Sequence, residues 1–120
     1  MAHYYDDIWN PWHTNYEYST LGLQSAYHTQ YEDDVLGYVG ADFSVAADGF
    51  NRVTDAAAAT RAAASTSHSY HWEVFSGAYT SGAGYTYESL DAYTRDMLSK
   101  SANGLADLIY SIKLAAGTRR

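Results

Sequence analysis

LDAYTRDMLSKSANGLADLIYSI, residues 90–112, places Leu90, Thr94, Met97, Ser101, Leu105, Leu108 and Ile112 at steps of three and four. Only a period near 3.6 keeps such a series on one face, so the spacing predicts a long amphipathic helix. Tyr93, Leu98 and Ile109 widen the stripe. Asn103-Gly104 lies inside the run and predicts a kink or a split. Thr86 is a candidate cap at the start. Gly117-Thr118-Arg119-Arg120 is a stop signal, with basic residues where the helix dipole favours them.

Upstream, Leu23, Tyr27, Tyr31, Val35, Tyr38 and Val39 repeat the helical step. Gly37 and Gly40 mark its end or a bend. A second helix is expected from an Asp42 N-cap, presenting Val45, Ala46, Phe50, Val53, Ala57, Arg61 and Ala64 along one side. Its Ala-rich stretch, residues 56–64, has high helix propensity and small side chains that let another backbone come close. Residues 65–87 fit either a helix carrying Trp72, Phe75 and Tyr79 on one face, or a hairpin of Val74-Phe75 and Tyr85-Thr86-Tyr87 around Thr80-Ser81-Gly82-Ala83-Gly84. Helix is preferred, because both neighbours are helical. The expected fold class is all-α, with long helices packed as a hairpin or bundle. The expected organisation is an aromatic N-terminal arm over residues 1–18 and one helical domain over 19–120.

With 120 residues the chain suits one domain. Large aliphatic side chains are scarce before Leu90, so packing there must use tyrosine rings and alanine faces. There is no Cys, which excludes disulfides, thiolate catalysis and Cys-ligated zinc. The first residues lack a basic and then apolar leader, and no apolar run is long enough to span a bilayer, so a cytoplasmic location is expected, with non-classical export left open. The net charge is −7, and residues 1–51 carry eight acidic side chains and no Lys or Arg. An acidic chain is a poor phosphate binder, so nucleic acid is not an expected partner. The asymmetry suits head-to-tail contact between copies, or simply an acidic solvated face.

Residues 1–18 hold the aromatic and apolar side chains Tyr4, Tyr5, Ile8, Trp9, Trp12, Tyr16 and Tyr18. Such a segment is either an assembly interface or a strap over its own helices, because these rings bury large areas and keep a polar tip. His68, His71 and Glu73 are the densest group of potential ligands, but a helix puts only the two histidines on one face. No HExxH or ExxH occurs, and no cofactor is expected. Glu32-Asp33-Asp34 reads as a solvated acidic face. No nucleotide loop or nucleophile elbow is present, so nothing points to an enzyme. His28, His68 and His71 are candidates for a pH switch, since imidazole titrates near pH 6.5.

Over residues 23–92 the pattern resembles the Reb proteins, the small subunits of R-bodies (refractile inclusion bodies). Tyr38-Val39-Gly40-Ala41-Asp42, then Val45-Ala46 and Phe50, the Ala-rich stretch to Thr66, and Tyr87-Glu88-Ser89-Leu90-Asp91 carry the resemblance. The family usually has proline near the position of Phe43 and a glutamine-rich run where this chain has Ser69-Tyr70-His71. The resemblance implies a structural subunit of a rolled ribbon that extends in response to acid, with no catalytic residues. The leading expectation is therefore a self-assembling subunit of a ribbon, filament or shell, partnered by itself or by related subunits. The alternatives are a helical-hairpin binding or secreted effector module, and a small His-dependent metal-binding protein.

Overall fold

The computed structural model describes residues 2–14, 23–39, 43–69 and 88–117. Five helices order the chain: α1 (Ala2–Asp7), α2 (Pro11–Thr14), α3 (Leu23–Val39), α4 (Ala56–Ser69) and α5 (Glu88–Gly117). About four-fifths of the described residues are helical, against about a third in an average globular protein, and no strand occurs among them. The fold class is all-α, as the periodicity predicts. No helix among the described residues is long and apolar enough to cross a membrane.

The 30 residues of α5 form a rod about 45 Å long at 1.5 Å per residue. Its stripe is the core: Leu90, Thr94, Met97 and Ser101 are all buried. Tyr27, Tyr31, Val35 and Val39 on α3 recur every four residues and meet it, with Trp12 closing the cluster. A buried polar pair here satisfies itself, Tyr31 Oη lying 3.0 Å from Thr94 Oγ1. Asp91–Arg95 and Asp96–Lys100 pair at i,i+4 on the outer side. Exposed pairs of this kind contribute a few tenths of a kcal/mol at about 0.3–0.5 each. The stripe leaves the core near its end, where Ile109 and Ile112 are 46% and 58% exposed.

Residues 2–14 of the N-terminal segment pack against the later helices. Tyr5 and Trp9 are buried against Ala63 of α4, with Leu105 and Leu108 of α5 alongside. Trp12 is 0% exposed. The apolar area expected of an assembly interface is thus taken up inside the chain by Tyr5, Trp9 and Trp12, while Ile8 is half-buried and Tyr4 is exposed. Tyr16 and Tyr18 lie outside the described residues. Ser101 Oγ donates to Asp6 Oδ1 at 2.7 Å, tying α1 to α5.

Gly104 does not break α5, which runs continuously through Asn103-Gly104. A Cβ there would overlap the Tyr5 hydroxyl and crowd its ring. The glycine therefore serves ring packing. Gly104→Ala is expected to destabilise by about 1–3 kcal/mol, although alanine is the better helix former by about 1 kcal/mol. In a Tyr5→Ala background the same change should stabilise. Urea unfolding of the four proteins checks the sign reversal.

The helix expected from Asp42 does not form where it was placed. Residues 43–55 contain no helix, and α4 starts only at Ala56. Gly49 adopts a φ of +94°, a left-handed conformation that suits glycine and interrupts a helix. The segment instead gives its backbone to side chains of α5. Asn51 N–H donates to Asp107 Oδ1 at 2.6 Å, Val53 N–H to Ser111 Oγ at 2.7 Å, and Asn103 Nδ2 to the Ala46 carbonyl at 3.1 Å. Asn103, Asp107 and Ser111 lie four residues apart on one ridge, and Phe50 stacks on Tyr110 nearby. Asp55 is the true cap of α4, accepting from Ala58 N–H at 2.9 Å. Residues 65–69 continue α4, and the rest of the helix-or-hairpin stretch lies outside the described residues.

Candidate metal centre

Asn10-Pro11 starts α2. Asn10 Oδ1 accepts from Trp12 N–H at 3.1 Å, and Pro11 occupies the first helical position, where no donor is needed. One side of this single turn sends Trp12 into the core beside Tyr27. The next residue, His13, is thereby set against α3. On α3, His28 and Glu32 are four residues apart and share a face.

Three ligand atoms converge. His13 Nε2 and His28 Nε2 are 2.7 Å apart, His28 Nε2 and Glu32 Oε1 are 2.7 Å apart, and His13 Nε2 is 3.8 Å from Glu32 Oε1. The two rings meet edge to face at 4.6 Å. Three points so spaced lie on a circle of radius about 1.9 Å. A position therefore exists about 2.0–2.1 Å from all three atoms, the bond length of zinc to imidazole nitrogen or carboxylate oxygen. Among the described residues this group has all its ligand atoms within 4.8 Å of one another.

Hydrogen bonding alone fits the arrangement poorly. An imidazole nitrogen offers one in-plane proton or one lone pair. His28 Nε2 cannot serve both His13 Nε2 and Glu32 Oε1 with good geometry at 2.7 Å. A cation in place of the proton would lie within bonding distance of all three atoms. Asn10 Nδ2 donates to the same Glu32 oxygen at 3.2 Å, and Asp7 Oδ1 stands 3.9 Å from His13 Nδ1. Such outer partners orient ligands, and a carboxylate beside the far nitrogen of a ligating imidazole raises its basicity. His13 and His28 side chains are about a quarter exposed and Glu32 about half, so the site is open to water on the carboxylate side.

Burial lowers the His13 pKa from its ordinary value, and the neighbouring His28 lowers it further. Asp7 and Glu32 oppose them, and His3 adds a small lowering effect. The folded chain thus prefers His13 neutral, the form that ligates metal. The unfolded chain takes up this proton first, near pH 6.5. Stability in chelator is therefore expected to fall as pH drops below about 6.5, down to the lowered folded value. Denaturation midpoints between pH 7.5 and 5.5 check this, and His13→Gln should flatten the slope.

The structure distributes the histidines singled out for pH sensing. His28 is in the centre. His68 donates from Nδ1 to the Thr14 carbonyl at 3.1 Å, fastening α4 to α2. His71 lies outside the described residues. Glu32, read as part of a solvated run, is exposed like Asp33 and is also a ligand candidate. The missed signal was His28-x-x-x-Glu32, a ligand pair at i,i+4. The chain matches no protein-family model, no curated protein and no solved structure.

Proposed function

We propose that the protein binds one divalent transition-metal ion through His13, His28 and Glu32. The observation that carries this reading is the convergence of two imidazole nitrogens and one carboxylate oxygen around a common point at metal-bond distance. Two nitrogens and one oxygen suit zinc, cobalt(II) or iron(II), and three protein ligands leave at least one coordination position open. Such a site supports Lewis-acid or ligand-binding chemistry more readily than a purely structural role, for which four protein ligands are usual. The test is equilibrium dialysis of the full chain against zinc followed by elemental analysis. One bound zinc per chain is the expected result, and cobalt(II) should show visible bands of low coordination number. Zinc well below one per chain would overturn the proposal.

A second reading, a self-assembling subunit of the Reb-like kind, is favoured by a separate observation. Ile109 and Ile112 are exposed on the last turns of α5, with Phe50 68% exposed on the flanking segment. Apolar side chains grouped this way suit contact between copies. Light scattering of the concentrated protein is expected to show particles larger than a monomer, and Ile109→Glu with Ile112→Glu should dissolve them. Monomer at all concentrations would end this reading.

A further inference from the structure

We infer that the cavity beside the metal centre is a receptor for an apolar monocarboxylate whose head ligates the bound ion. The inference rests on the metal reading above and adds the ligand class. The cavity holds about 670 Å³, within the size range of small-molecule sites. Val35, Leu36, Phe43, Met97, Leu98 and Leu105 line it with apolar side chains. It lies between α3 and α5, the two longest helices.

Most polar groups of the wall are already committed, the exception being the buried Trp9 Nε1, which has no hydrogen-bond partner. Tyr31 and Thr94 bond to each other, and Ser101 bonds to Asp6. They offer little to a polar ligand body, so the body that fits is hydrocarbon. The Glu32 end of the wall is where the cavity meets the ligand candidates. Glu32 is at once a wall residue and a ligand candidate, and Asn10, also in the wall, donates to its Oε1. The ion and the cavity therefore share one carboxylate, and the ion sits at the cavity rim. A ligand with a hydrocarbon body in the cavity has its head at the ion.

Charge selects the head. Without metal, Asp6 and Glu32 present two carboxylates to the cavity. They repel an anionic head and attract an ammonium. With a divalent ion on His13, His28 and Glu32, an open coordination position takes a carboxylate oxygen directly. Anion binding is thus conditional on metal, and amine binding is not.

The test uses the full chain, stripped with chelator or loaded with one equivalent of zinc, at pH 7.5. Decanoate and decylamine, both below their micelle concentrations, are titrated by calorimetry. Decanoate is expected to bind the zinc form at least tenfold tighter than the stripped form, and decylamine to show no such gain. In the cobalt-loaded protein, decanoate should shift the visible bands and decylamine should not. Ala102→Trp on α5, and separately Leu36→Trp on α3, should weaken decanoate at least tenfold while zinc affinity stays within about twofold. Equal decanoate affinity with and without zinc overturns the inference, as does a preference for decylamine in the zinc form. Decanoate binding unchanged in both tryptophan variants also overturns it. A zinc titration without amphiphile separates the two proposals: zinc bound but decanoate refused sinks only this inference, whereas zinc refused sinks both.

Discussion

Alanine in place of His28 is expected to weaken zinc binding at least about a hundredfold, or about 2.8 kcal/mol. His28 is the hub of the centre, since its Nε2 lies 2.7 Å from each of the other two ligand atoms. Removing it leaves His13 and Glu32, which are 3.8 Å apart and come from different helices. The fold should survive, because the side chain lies outside the core cluster and alanine is a strong helix former. Asp7→Asn tests the outer partner and should weaken zinc by about 10-fold, within the range for such groups. The measurement is competition against a chromophoric chelator. Zinc affinity unchanged by His28→Ala would place any bound metal elsewhere.

Trp12→Ala should cost about 3–5 kcal/mol of stability, the usual range for a buried tryptophan. Trp12 is fully buried and packs with Tyr31, Val39, Leu90 and Met97. For a domain stabilised by about 5–15 kcal/mol in total, that loss is close to disabling. It should also lower zinc affinity, because the same short helix carries Trp12 inward and His13 outward. Trp12→Phe is the milder variant and should keep both properties in part. Thermal unfolding with and without zinc checks the pair of effects, since a ligand bound only by the folded state raises the midpoint. A Trp12→Ala protein with parent-like stability would mean that α2 is not anchored as described.

How much of this was legible in the sequence depends on whether the determinant was local. The stripes of α3 and α5 are periodic, and their buried faces are those that the spacing predicts, through Tyr27, Tyr31, Leu90, Thr94 and Met97. Residues 43–55 have no such period. Their conformation is held by Asp107 and Ser111, more than fifty residues away, which no local reading weighs. Asp48-Gly49 was the available local hint, a pair with turn chemistry inside a supposed helix. Composition marked residues 1–18 as surface-burying but could not say against what. The centre divides the same way. His28 and Glu32 were readable as neighbours at i,i+4, but His13 joins them only because Trp12 is drawn into the core.

The segment laid along α5 also has a consequence for hydrogen exchange. Most of its residues are exposed, yet the amides of Asn51 and Val53 are bonded to side chains of α5. Local openings expose such amides at far lower free energy than global unfolding does. These two amides should therefore exchange together, faster than those of buried Thr94 and Met97 and slower than their exposed neighbours. Their shared rate would time the lifting of this segment from the helix, an event that global unfolding curves do not register.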